Sequence, residues 1–108
     1  MEFESFDWDD GNWPKCGKHG LAREDIEGLF LRTISILPAP ERRKGEERLL
    51  AIGKLGDGRS ILVVFTFRMR NDTKLLRPIS ARYLHEKERL HHEKQIAQAQ
   101  KNPDTQNR

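Results

Sequence analysis

The sequence predicts an α+β domain, an antiparallel sheet of about four strands packed against two N-terminal helices, with another helix at the C-terminal end. Three observations carry this. The middle of the chain alternates apolar runs with turn residues, at Leu55-Gly56-Asp57-Gly58 and again in residues 69–73, the pattern of consecutive hairpins. Ahead of these runs, an acidic cluster opens a stretch whose apolar residues recur at helical spacing. Behind them, Ser80 offers an N-cap to a long polar segment. A chain of 108 residues has room for one domain and a modest core. Residues 1–93 read as that domain, and 94–108 as a polar helical extension and disordered tail.

Taken in order, residues 1–8 carry Phe3, Phe6 and Trp8 and read as a short strand or packed arm. Asp9, Asp10 and Asn12 are competent N-caps ahead of a first short helix that Gly20 would end. Pro14 is tolerated only in a first turn, so that helix is expected to start near Asn12. Glu24, Asp25 and Glu27 suit the positive end of a second helix, in which Ile26, Leu29 and Phe30 form one apolar face. Residues 33–37 read as a strand closed by Pro38 and Pro40, followed by a loop with Arg42, Arg43 and Lys44 that runs through Gly45. Residues 46–53, 59–68 and 74–80 follow as a meander. The near-continuous apolar run at 61–67 suits a central strand covered on both faces. Pro78 has no N–H for a ladder, which places its strand nearer an edge, with the helices expected on one side of the sheet. The last helix is expected from Ser80 through Tyr83, Leu84 and Leu90 to about Ala99. Its apolar stripe fades after Leu90, so its far end protrudes, frays or awaits a partner chain.

Charge is unevenly spread. Residues 1–40 hold 4 Lys/Arg against 8 Asp/Glu, whereas residues 42–82 hold 11 against 4, a local basic excess suited to a polyanion such as RNA. Cys16 is the single cysteine, so no internal disulfide forms, and Cys16 is assigned no chemistry. The sequence shows no signal segment and no long apolar span, which leads us to expect a cytoplasmic protein without membrane contact.

Several fragments resemble one family in order. Phe6-Asp7-Trp8-Asp9 with Asn12, Lys15 and Lys18-His19-Gly20 is similar to the opening of BrnT-type toxins. The later blocks of that family are similar to Glu24-Asp25-Ile26-Glu27 with Phe30, Gly45-Glu46-Glu47-Arg48 with Ile52-Gly53, Val63-Val64-Phe65-Thr66 with Arg68, and Ile79-Ser80-Ala81-Arg82. The resemblance covers about residues 3–93. It implies a RelE-like fold and a toxin of a type II toxin-antitoxin system that cuts RNA without a metal or organic cofactor. It also implies a ribbon-helix-helix antitoxin that neutralises the toxin, with operator DNA bound only through that antitoxin. Pro14, Ala22 at a capping position and the long polar C-terminus depart from the family pattern.

Metal-free RNA cleavage needs a 2′-hydroxyl aligned with phosphorus, a base for its proton, cations for the developing charge and a donor for the leaving oxygen. Arginine stays charged and its planar fork takes two phosphate oxygens at once. Arg68 and Arg82, with His19 and Glu47 as proton-transfer candidates, are therefore the expected catalytic residues. Lys18, Arg48, Arg77 and Ser80 are the expected RNA contacts, Ser80 through the unpaired amides of a helix start. The competing reading of each arginine is a surface ion pair with Glu46, Glu47 or Asp72. For His19 it is the capping of a helix end, and for Trp8 and Trp13 it is packing of the N-terminal arm.

His85 and His92 share a helix face at seven-residue spacing, but no further ligand completes a metal site, so no metal is expected. A non-catalytic nucleic-acid-binding or regulatory module using the same basic patch is the alternative function.

Overall fold

The computed structural model describes residues 2–32, 34–39 and 46–106, with side chains through residue 98. Its strands are β1 (Ser5–Phe6), β2 (Ser35–Pro38), β3 (Leu49–Lys54), β4 (Ser60–Arg70) and β5 (Thr73–Tyr83). They form one sheet in the order β1-β5-β4-β3-β2. Strands β2 to β5 are antiparallel neighbours, as the hairpin pattern predicts. The N-terminal arm adds a fifth strand, and it runs parallel to β5, Ser5 opposite Leu75 and Phe6 opposite Leu76. The sheet is thus mixed rather than purely antiparallel. The expected loop with Arg42, Arg43 and Lys44, and Thr33 before β2, lie outside the described residues.

Both hairpin turns follow the local chemistry. Asn71 and Asp72 take positive φ values of 52° and 64° between Arg70 and Thr73, the left-handed pair that matches the twist of a tight hairpin. Gly58, at φ 89°, closes the turn between β3 and β4, where its N–H donates to the carbonyl of Leu55.

Three expected helices become two α-helices and one short turn. The segment expected to be helical from Asn12 is a chain of turns around a 3₁₀ turn, Lys15–Gly17. Asn12 does not cap it. Its buried side chain instead donates from Nδ2 to the carbonyls of Asp7 and Pro78, and its Oδ1 accepts from the N–H of Asp9, so it ties this segment both to itself and, through Pro78, to β5. Helix α1 (Arg23–Leu29) forms where the acidic cluster predicts it. Asp25 accepts a hydrogen bond from the N–H of Ala22, which replaces half of the cap that the Ala22 side chain lacks.

Helix α2 (Glu86–Gln106) starts later than Ser80 and runs further than Ala99. Ser80 and Arg82 are strand residues because β5 continues through Tyr83, pairing with β4. The expectation of free helix amides at Ser80 is therefore overturned: β-branched and apolar partners across the ladder outweigh the local capping signal.

The sheet has two unequal faces. On one, Ile26 and Leu29 of α1 and Cys16 pack with Ala51, Ile61, Val63, Phe65, Leu76 and Ala81 as the main core. A Cβ on Gly53 would stand 2.8 Å from Leu29, so glycine lets α1 approach β3 there. On the other face, Leu50, Ile52 and Leu62 form a smaller cluster with Leu37, Ala39, Val64 and Leu84. Helix α2 crosses part of that second face, where Ile96 and Arg89 meet Ile52 and Ser60 around a shallow cavity. Helices therefore lie on both sides of the sheet rather than one. Pro78 sits on β5, one strand in from the edge, at a point that β1 does not reach.

Candidate functional site

One irregularity in β5 shapes the site. Ser80 stands opposite Val64 and Pro78 opposite Phe65, so Ile79 is an extra residue, a β-bulge. Residues opposite one another on a ladder share a face, and so do residues two apart on a strand. Val64 and Thr66 thus bring Ser80 and Arg77 to the same side, together with Arg82 opposite Leu62. That side is the second face, the side of Leu50 and Leu62. Arg68 joins it as the next residue but one after Thr66.

A cavity of about 470 Å³ opens on this face. Lys15, Lys18 and His19 border it from the N-terminal turn, Arg48 from the start of β3, Ser80 and Arg82 from β5, and His92 from α2. Its floor is apolar, made by Ala39, Leu50, Leu62 and Val64. Five of the eight residues singled out in the sequence, Lys18, His19, Arg48, Ser80 and Arg82, come together here. Arg68, Arg77 and Glu47 do not line it. Lys15 and His92 do, and the sequence signal for them was slight: Lys15 lies within the N-terminal motif, while His92 is a polar residue on a polar helix.

Each arginine of the set is held by a carboxylate. Arg82 makes a two-pronged contact with Glu88, both N–H···O distances being 2.9 Å. Glu88 also accepts from the N–H of His85 and so stabilises the start of α2. The guanidinium of Arg82, followed by that N–H, holds the Glu88 carboxyl down at about 2. Glu46 bridges Arg48 and Arg68, at 3.2 Å from each. Partial burial pushes the Glu46 carboxyl up, but hydrogen bonds from Arg48 and Arg68 leave it below the usual carboxylate range. Of the three acids anticipated, Glu46 is the one that holds Arg48 and Arg68, whereas the partner of Arg82 is Glu88, further along the chain.

Arg77 differs from the others. Its side chain is 10% exposed and is fixed by Asp7, itself buried, and by Asp9. A Cβ on Gly11 would come within 2.9 Å of the Arg77 guanidinium, so the glycine makes room for this clamp. The Arg77 hydrogen bond lowers the Asp9 carboxyl. Arg77 and Asn12 together pin the turn that presents Lys15, Lys18 and His19 to β5. Thr66, buried within the apolar run, donates from Oγ1 to the Glu47 carbonyl at 2.6 Å and so fixes the approach to Arg48.

The remaining candidates have structural roles. Trp8 donates to Glu27 and packs edge-to-face on Trp13, which in turn lies under Arg23. Cys16 is fully buried, and burial pushes its thiol up to about 11, so it stays protonated at neutral pH. Among the described residues, no cluster of three or more His, Cys, Asp or Glu is placed to hold a metal ion. No helix among them is long and apolar enough to cross a membrane.

The site is thus a cavity with a cationic rim and an apolar floor, on one face of a small α+β domain. Its family is explicit. The model of the family described as "Ribonuclease toxin, BrnT, of type II toxin-antitoxin system" matches residues 8–88, and the chain belongs to that family. The matched stretch contains every strand from β2 to β5 and all five of the cavity residues anticipated from the sequence. As a type II toxin, it has an antitoxin as its partner. No curated protein matches the chain.

Proposed function

We propose that the cavity binds single-stranded RNA and cleaves it without a metal ion, and that a ribbon-helix-helix antitoxin silences it. The observation that carries this reading is the meeting of Lys18, His19, Arg48, Ser80 and Arg82, from separate stretches of chain, around a single cavity. A phosphodiester would replace Glu88 in the fork of Arg82, because a phosphate presents two oxygens in the same geometry as a carboxylate. The pair is partly exposed, Arg82 by 42% and Glu88 by 34%, so water and salt weaken its hold and an anion can enter. Arg48, Lys18 and the Ser80 hydroxyl border the same space and would take the neighbouring phosphate and sugar oxygens.

In the reaction, the 2′-hydroxyl loses its proton to His19 and its oxygen attacks phosphorus. The bond to the 5′-oxygen breaks, that oxygen takes up a proton from water or an imidazolium, and a 2′,3′-cyclic phosphate remains. Arg82 stabilises the added negative charge of the transition state. Arg68 lies on the same face but beyond the cavity, where it would hold RNA outside the reacting centre, Glu47 is the second candidate base, and Arg77 contributes by holding the turn that carries His19.

The test uses purified chain and single-stranded RNA in EDTA. Cleavage leaving 2′,3′-cyclic ends, abolished in Arg82→Ala with the fold intact, is the expected result. Intact RNA, or cleavage that stops in EDTA and returns with a divalent cation, overturns the reading. The absence of two expected catalytic residues, Arg68 and Glu47, from the cavity lining favours one alternative, a module that binds nucleic acid without cutting it. Binding by purified protein with no cut, and harmless expression without the antitoxin, would establish that alternative.

A further inference from the structure

His92 stands outside the stretch that matches the family model, which ends at Glu88, yet it lines the same cavity as Arg82. It lies one helical turn beyond Glu88 on the same side of α2, so the carboxylate in Arg82's fork and the imidazole of His92 are neighbours. Among the described residues, His92 Nδ1 is the buried side-chain polar atom that lacks a hydrogen-bond partner. Its other ring nitrogen, Nε2, is not sealed away in this manner.

A buried polar group without a partner costs free energy, and an orphaned N–H is the rarer and costlier form. With the proton on Nε2, Nδ1 is left as a bare lone pair and the N–H is the atom free to meet a ligand. We propose that His92 donates a hydrogen bond from Nε2 to a non-bridging oxygen of the phosphodiester clamped by Arg82, adding to the RNA site a residue from beyond the family-matching segment. This inference rests on the nuclease reading above. The role assigned to His92 is binding, through Nε2, rather than proton transfer. When phosphate displaces Glu88 from Arg82, the next turn of α2 already presents a donor to the incoming oxygens.

The test compares His92→Phe and His92→Gln in the full chain, with a fluorescein-labelled, mixed-sequence single-stranded RNA and thermal melts to show that both variants fold. Glutamine keeps an amide N–H near the position of Nε2, whereas phenylalanine keeps the ring and removes the donor. Loss of one donor to a reacting phosphate is expected to lower kcat/KM by at least about 10-fold in His92→Phe. His92→Gln is expected to recover the rate to within about 3-fold, with the shape of the pH–rate profile unchanged. Cleavage by His92→Phe at the wild-type rate overturns the inference alone. So does loss of one limb of the pH profile in His92→Gln, which would mark His92 as a proton-transfer group. Wild-type protein that leaves this RNA whole overturns the nuclease reading and this inference with it.

Discussion

Arg77 and Arg82 point to the same face of β5 although an odd number of positions separates them. In a regular strand they would lie on opposite faces, because side chains alternate. The extra residue Ile79 between Ser80 and Pro78 reverses the alternation once, and this brings Ser80 and Arg82 to the cavity rather than to the α1 side.

Removal of that residue should therefore dismantle the site. Deletion of Ile79 would turn Arg82 toward the core in place of Ala81 and leave its charge buried without Glu88. Melting is expected to show a loss of more than about 3 kcal/mol. Ile79→Ala keeps the bulge, and its RNA affinity should stay within about 3-fold of wild type by fluorescence anisotropy. Equal stability of the deletion and the parent would contradict the register described here.

Arg77 and Arg48 should separate fold from binding. Arg77→Ala leaves the buried Asp7 with only the exposed Arg70 as a partner and is expected to cost about 3 kcal/mol in chemical denaturation. Arg48→Ala, at a partly exposed pair, should unfold at nearly the same denaturant concentration and bind RNA several-fold more weakly. The reverse pattern would return Arg77 to the binding surface.

Glu46→Gln releases Arg48 and Arg68 from a shared negative charge. RNA affinity at low salt is expected to rise about 5-fold, with a steeper dependence of log Kd on log salt concentration, since more cation is free to displace counterions. Unchanged affinity and slope would show that neither guanidinium meets RNA.

Acid should open the contact between β5 and α2. The folded Glu88 carboxyl lies at about 2 against an ordinary value of 4.5, so its contribution to stability is fully present above about pH 4.5 and is lost as pH falls towards 2. An NMR titration of the Glu88 side-chain carboxyl carbon should show a midpoint near 2 in the native protein and a higher one, still below 4.5, in Arg82→Ala, where the His85 N–H remains. A native midpoint near 4.5 would mean that the fork is not held in solution.

Much of the fold was legible locally. The hairpin at Asn71 and Asp72, the turn at Gly58, the amphipathic α1 and the near-continuous apolar stretch of β4 are short-range patterns in which propensity and burial agree. Two segments misled for opposite reasons. Ser80 carries a capping signal that pairing with Val64 overrides, so β5 ends three residues later. Asn12 carries the same type of signal, but the Asp7 and Pro78 carbonyls claim its side chain. In the site, arginine chemistry singled out Arg48 and Arg82, whereas His92 could not be separated from the polar helix around it.

What the sequence by itself determined is the order of elements, the basic stretch that supplies the cations, and the resemblance in ordered fragments that the family match bears out over residues 8–88. What only the tertiary structure decided is which side of the sheet each arginine occupies and which carboxylate holds it. The reason is physical: local propensity acts within a few residues, but a strand's facing depends on register against its neighbour, and a single bulge changes that register for every residue after it.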